Sequence, residues 1–225
     1  MLQISNVRVY DLKESVIACR NAMRLYPVEY TDEEFEASLE RAIKLVTASK
    51  NSNVKCHDNY LTGIRVSFDL KYTQYITKQF QRYHWFDYVS SSSLMHRITK
   101  MNFDECCNEY VTQETKDNMK KYIEEYNVAV ERNKNYECEV NKQDVYKAFM
   151  KIISNCPMGC ELFVRVSTNY KQLQTIYFQR KNHKLKEDWG EFCKFVESLP
   201  YAKELILGQN EEEQKTQNSH RETIE

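Results

Sequence analysis

An α+β fold is predicted for this chain by three features of its sequence. Apolar residues recur at three- and four-residue spacing in several separate segments, the signature of amphipathic helices. Two stretches far apart, 63–71 and 162–167, instead alternate between apolar and polar residues, as half-buried strands do. No internal repeat and no domain linker interrupts the 225 residues, a length that suits one well-buried core. Many helices around a few strands distant in sequence make a compact single domain with a small, mostly antiparallel sheet. That domain is assigned to residues 1–207, followed by a polar tail, 208–225, predicted to be disordered.

In chain order, residues 4–10 read as an edge strand and 14–24 as a helix carrying Val16, Ile17, Ala18, Cys19, Ala22 and Met23. Pro27 separates it from a second helix, whose start is marked by Thr31 and Glu34. Thr followed three residues later by Glu is a capping box, and Phe35, Leu39, Ala42, Ile43 and Val46 then share one face. In the strand at 63–71, Ile64, Val66, Phe68 and Leu70 point one way, Arg65, Ser67, Asp69 and Lys71 the other. A helix over 73–83 leads into a stretch rich in aromatics and serine that runs through Ser93, predicted to be irregular and to have the make-up of a functional loop. Residues 115–130 form a helix with Met119, Tyr122, Ile123 and Tyr126 on its apolar stripe, and Asn141 is predicted to cap another with Val145, Phe149 and Ile152 inward. The run from Cys156 through Pro157, Met158 and Gly159 to Cys160 is a turn. Beyond it Leu162, Val164 and Val166 alternate with Phe163, Arg165 and Ser167 in a second short strand, and two helices carry the chain to Leu199 and Pro200.

Bulk charge narrows the function classes. With 32 basic and 33 acidic side chains the net charge is −1, so no global field draws the chain to polymeric nucleic acid or anionic lipid. No segment approaches the roughly 20 consecutive apolar residues of a membrane span, and the N-terminus lacks a basic-then-apolar signal pattern, so a cytoplasmic location is expected. The chain is too large for a disulfide-stapled mini-domain, and its eight cysteines are expected to be reduced thiols. Glycine occurs only at 63, 159, 190 and 208, which leaves no glycine-rich loop to cradle a phosphate; dinucleotide-binding βαβ units and phosphate-loop ATPases are excluded. Any phosphate must be held by side chains, chiefly those of Arg and Lys.

The richest chemistry lies between residues 79 and 97, where Gln79, Arg82, His84, His96 and Arg97 are set among aromatics and four consecutive serines. Guanidinium groups fork onto phosphate, hydroxyls add donors, and aromatic faces stack on planar rings. The same composition also suits a buried polar network around core aromatics. Cys156 and Cys160 flank their turn at a spacing open to a metal, but no second Cys or His pair lies nearby in sequence, so no metal is expected. Cys106 and Cys107 are adjacent, poor geometry for two ligands on one ion, and read as packing residues. Cys56 and His57, also adjacent, would point oppositely on an extended chain. His183 and Lys184 suit a helix end, where positive charge is favoured, while Trp189, Phe192 and Phe195 read as core or subunit interface.

Gln79, Arg82, Tyr83 and His84, followed after seven residues by Ser92, resemble the signature of the flavin-dependent thymidylate synthases: Arg-His-Arg, seven residues, Ser, with Gln three residues ahead. The frame is kept, while Tyr83 stands for the His and His84 for the second Arg. His57, about 25 residues before the signature and ahead of a strand, matches a second block. Asn169, Lys171 and Arg180 match a third, which in the family is Asn, one residue, Arg, and a further Arg eleven positions after the Asn. The three blocks span about 125 residues in order.

The resemblance implies that Gln79 and Arg82 bind the nucleotide, that Ser92 donates to its phosphate or ring, and that Arg180 polarises the uracil, with Arg180 and Ser92 the catalytic pair. It implies that His57, His84, Asn169 and Arg82 line FAD. The implied reaction is methyl transfer to dUMP or a related pyrimidine nucleotide, with methylenetetrahydrofolate as carbon source and NADPH as reductant, in a homotetramer whose active sites draw on several subunits. Leu94 stands where the family carries a phosphate-binding Arg, a loss of about 1.5–3 kcal/mol, or about 10- to 100-fold in affinity. Arg97, with His96, is the expected replacement. Thr175 stands where the family has His, and Lys186 falls near an expected Gln. These departures leave an alternative, a catalytically altered homologue that binds nucleotide or flavin without making thymidylate, and a third, an interaction module that shares only the fold.

Overall fold

Strand positions follow from which side chains the sheet buries. The chain is described by a computed structural model over residues 2–51 and 57–209. Its strands are β1 (Gln3–Tyr10), β2 (Arg65–Thr73), β3 (Asp87–Ser91) and β4 (Glu161–Asn169), in the order β1-β2-β4-β3. In β2, Val66, Phe68 and Leu70 are fully buried, and in β4 Val164 and Val166 are, as the alternation requires. Tyr170 N–H donates to Ile64 C=O, and Gln74 N–H to Cys160 C=O, both at 3.0 Å, just beyond opposite ends of the central pair; that pair is antiparallel. β1 is an edge strand, as expected.

β3 corrects the expectation of an irregular stretch through Ser93. Asp, Tyr, Val and two serines carry no apolar alternation, yet they pair at the sheet edge because β4 offers its backbone: Ser92 N–H donates to Phe163 C=O at 2.8 Å, and Phe163 N–H to Ser92 Oγ at 3.0 Å.

The helices are α1 (Leu12–Ala18), α2 (Asp32–Asn51), α3 (Gln74–Phe80), α4 (Leu94–Arg97), α5 (Phe103–Cys106), α6 (Gln113–Asn135), α7 (Glu139–Asn155), α8 (Tyr170–Arg180) and α9 (Lys186–Glu197). The helix predicted over 14–24 is shorter: α1 stops at Ala18, and Asn21–Met23 is a 3-10 turn with Met23 exposed. Thr31 accepts from Glu34 N–H at 3.2 Å, but the Glu34 carboxylate turns to Arg20 and Arg24, so only half of the capping box forms. Asn141 does not cap its helix. α7 starts before it, behind Cys138, and the Asn141 amide donates to Tyr136 C=O at 2.5 Å.

The described residues fall into two compact units, 2–3 with 70–82 and 89–165, and 4–69 with 83–88 and 166–209. β2, β3 and β4 each pass from one unit into the other, so no linker marks the division in the sequence. The first unit is built on the α6–α7 hairpin, where Tyr126 meets Phe149 at 6.1 Å and Lys151 pairs with Glu125 at 2.6 Å. Its core holds Ile98, Phe103, Cys107, Met119, Ile152 and Cys160. The second unit centres on Phe68, whose ring lies 6.0, 6.4 and 4.7 Å from those of Phe86, Phe192 and Phe195. Among the described residues no helix is long and apolar enough to cross a membrane. Cys56 and residues 210–225, including most of the predicted disordered tail, lie outside the described residues.

Gly159 is required by close approach. A Cβ there would stand 2.5 Å from Val111 Cγ2 and 2.6 Å from Asn108 Oδ1, while Asn108 N–H donates to Gly159 C=O at 3.0 Å. Gly159→Ala is expected to destabilise the protein by about 1–3 kcal/mol, the usual range for overpacking, read as a lower urea midpoint with unchanged slope.

Candidate functional site

In the unit formed by 4–69, 83–88 and 166–209, Arg180 is the best-held polar side chain at the end of α8. Its Nε donates to Tyr83 Oη at 2.6 Å, and Tyr83 Oη donates to Gln179 Oε1 at 3.1 Å. The guanidinium carbon lies 4.7 Å from the Trp189 ring centroid and 5.6 Å from that of Tyr83. Two aromatic faces and a phenol oxygen therefore fix one orientation of a permanently charged group. In the sequence Tyr83 registers only as a departure from the family signature and Trp189 only as core. The structure gives both a share in positioning Arg180, which no local pattern announces. Burial, followed by the charges of Arg180 and Lys184, lowers the pKa of His183 beside this cluster and favours its neutral form.

The same unit contains a cavity of about 350 Å3 lined by Ser49, Asp58, Lys171, Gln174, Thr175 and Phe178, among others. Lys171 Nζ reaches Asp58 Oδ2 at 2.5 Å. Asp58 is 1% exposed, and its other oxygen, Oδ1, is buried without a hydrogen-bond partner among the described residues, as is Ser49 Oγ. A group buried in this way is normally satisfied, so the cavity offers a cation, two unsatisfied oxygens and the Phe178 ring to a polar, partly aromatic molecule. Asp58 was not anticipated; its neighbour His57 was. The two side chains go to different places: His57 is exposed and lines a separate cleft with Cys19, Arg20, Arg41 and Lys44.

The other candidates of this unit are each engaged in structure. Asn169 Oδ1 caps α8 by accepting from Gln172 N–H at 2.8 Å. His84 is exposed and stands edge-on to Trp85 at 5.5 Å, while Trp85 itself is tied to Gln172 and Thr168. The cap separates two roles for Asn169. Asn169→Ala should cost about 1 kcal/mol, the usual value of an N-cap, whereas Asn169→Asp keeps the accepting oxygen and should retain the melting temperature. Equal melting temperatures in Asn169→Asp and the parent would assign the structural role to the accepting oxygen alone.

In the unit that contains 70–82 and 89–165, Gln79 is half-buried on α3 and Arg82 is exposed just past it. Ser92 spends its accepting oxygen on Phe163, which leaves the hydroxyl hydrogen as its donor. Arg97 lines a cavity of about 660 Å3 together with Lys71, His96, Lys100, Cys106 and Phe163. Its guanidinium lies 5.3 Å from the Phe163 ring centroid, and its Nη1 is buried with no partner. Hydrogen bonds from Cys107 and then Cys160, joined by the Arg97 charge, hold the Cys106 thiol well below its ordinary range.

No protein-family model matches the sequence, and no curated protein does. Among solved structures the chain is similar to the flavin-dependent thymidylate synthase ThyX of Helicobacter pylori complexed with FAD and dUMP, with a TM-score of 0.58 and 15% identity over 91% of this chain and 97% of that one. The chain has the flavin-dependent thymidylate synthase fold. A second structure of the Helicobacter pylori enzyme, also with FAD and dUMP, gives a TM-score of 0.56 and 14% identity over 92% and 97% of the two chains. At such identities side chains have largely been replaced, and within this fold the Tyr83–Arg180 contact and the Lys171–Asp58 pair are properties of this chain's own residues.

Proposed function

We propose that this protein is a flavin-dependent thymidylate synthase-like enzyme that transfers a one-carbon unit to dUMP or a related pyrimidine nucleotide, with FAD as cofactor, methylenetetrahydrofolate as carbon donor and NADPH as reductant. The observation that carries the reading is the fold shared along almost the whole of both chains with an enzyme complexed with FAD and dUMP. The donor set of the second unit supports it. Orphaned Asp58 Oδ1 and Ser49 Oγ, with Lys171 and the Phe178 ring, fit part of a flavin, which presents an N–H donor, carbonyl oxygens and an aromatic face. Bound and reduced, that group would supply a hydride.

The chain's own residues bind and polarise. Arg180, fixed by Tyr83 and Trp189, places positive charge where negative charge develops on a pyrimidine carbonyl, and preorganised charge of this kind is typically the largest contribution an enzyme makes. Gln79, Arg82, Ser92 and Arg97 hold the nucleotide, with Arg97 standing in for the arginine absent at Leu94. His57, His84 and Asn169 contact the flavin from their separate places. The active assembly is a homotetramer, and the location is the cytoplasm.

The test is direct. Purified protein should show a flavin absorption spectrum, or acquire one with FAD, and should release tritium from dUMP labelled at the reacting carbon when FAD, NADPH and methylenetetrahydrofolate are present. A protein that stays colourless with added FAD would refute the reading. The second reading, a homologue that binds without synthesis, is favoured by Tyr83 and His84 in place of two signature residues; a yellow protein that releases no tritium selects it.

A further inference from the structure

Four cysteines that the sequence scatters as two unpromising pairs converge in one unit. The sulfurs of Cys106, Cys107 and Cys160 all lie within 4.8 Å of one another. Cys107 and Cys160 face each other across an isolated antiparallel bridge with their sulfurs 2.9 Å apart. Cys156, four residues ahead of Cys160 at the other end of the same turn, is half-buried against the core that holds Cys107 and Cys160 and is the nearest further thiol to supply a fourth ligand. We propose that Cys106, Cys107, Cys156 and Cys160 form a tetrathiolate site for a Zn2+ ion that ties the end of α5 to the turn ahead of β4.

The backbone explains how neighbouring cysteines serve one ion. Cys106 ends α5 in a helical turn, whereas Cys107 is already extended, with φ −110° and ψ 145°. The change of conformation between them brings both sulfurs to the same side, which two extended residues would not do. Zinc–sulfur bonds of about 2.3 Å put tetrahedral ligand sulfurs about 3.8 Å apart. The observed triad is within about an ångström of that spacing, and Cys107 and Cys160 would part by roughly 1 Å to admit the ion.

The surroundings suit a cluster with excess negative charge. Four thiolates around Zn2+ leave a net charge of two minus, and Arg97, whose buried Nη1 has no hydrogen-bond partner, lines a cavity with Cys106. Gln74 Nε2 donates to Cys156 Sγ at 3.2 Å, the kind of outer hydrogen bond that orients a metal thiolate. Cys107 and Cys160 belong to the apolar core of this unit, beside Phe103, Met119 and Ile152, so the site is closed and its role is structural. A tetrahedral set of four sulfurs selects zinc or iron–sulfur chemistry over harder ions. A disulfide would employ only two of the four sulfurs. As the four Zn–S bonds form, the four thiol protons pass to solvent, and no oxidant is needed.

The experiment uses the full chain purified without chelators. Elemental analysis should find one zinc per chain, and native mass spectrometry a mass increase of one zinc less the displaced protons. Cys106→Ser and Cys160→Ser should bring zinc to background, whereas Cys138→Ser, at an exposed cysteine before α7, should leave it unchanged. If the serine variants do not fold, Co2+ exchanged into the unaltered chain decides: intense sulfur-to-cobalt charge transfer with tetrahedral visible bands supports four thiolates. Octahedral cobalt spectra, a metal-free chain crosslinked between Cys107 and Cys160, or an iron–sulfur chromophore would each overturn the proposal. The outcome is independent of whether the protein binds flavin.

Discussion

Lys171→Met is expected to destabilise the protein by about 3–5 kcal/mol, the usual cost of breaking a buried ion pair by removing one partner. The pair is asymmetric. The Asp58 side chain is 2% exposed and that of Lys171 27%, so the lysine can recover hydration and the carboxylate cannot. Asp58 is doubly dependent on its partner, since Oδ1 already lacks a hydrogen bond and Lys171 is the cation that neutralises Oδ2. Asp58→Asn should therefore cost less than Lys171→Met, and the double variant should recover part of the loss of the single lysine variant. Guanidinium melts of the four proteins provide the cycle. Equal losses in Lys171→Met and in the double variant would show that the carboxylate does not depend on the lysine. The same experiment tests the proposed function: on that reading, a cavity wall that includes a carboxylate held by one lysine loses FAD affinity in Lys171→Met even under conditions where the fold survives.

Phe68→Ala is the second large effect, expected at about 3–5 kcal/mol. Phe68 is fully buried at the middle of β2 and its ring meets three others, with Phe195 the nearest at 4.7 Å. Edge and tilted aromatic pairs add about 0.5–1.5 kcal/mol each beyond the area they bury, and the facing rings, Phe192 and Phe195 on α9 and Phe86 just ahead of β3, cannot all collapse into the gap. For a chain of this size the loss corresponds to a fall in melting temperature of roughly 10 °C. Phe68→Leu, which keeps most of the volume, should cost well under half as much. A calorimetric scan that finds the two variants alike would mean the aromatic cluster contributes little. Phe192 also stands 5.7 Å from Trp189, the ring beneath Arg180, so on the proposed function the alanine variant should weaken pyrimidine binding as well as the fold.

What was legible in the sequence was what depends on local spacing. The alternation at Ile64, Val66, Phe68 and Leu70 gave β2 because a strand with one buried face requires it, and the spacing from Phe35 to Val46 gave α2 for the corresponding reason in a helix. β3 was missed because an edge strand can pair through its backbone with no apolar pattern. Residue spacing also gave the frame running from Gln79 to Ser92 and from Asn169 to Arg180, and with it the expectation of a fold that the solved structures match. The division into two units was invisible, since all but one of its boundaries fall inside strands.

The sequence by itself determined the α+β class, the principal helices and the central strands, and its resemblance to a family pointed to a fold that the solved structures share. Only the tertiary structure decided which polar groups meet: Arg180 with Tyr83, Lys171 with Asp58, and Cys106 and Cys107 with Cys160. The physical reason is range. Secondary structure is written by periodicities of two and 3.6 residues, whereas these contacts join residues 53 to 113 positions apart, brought together only when the sheet and the helices bury their apolar faces.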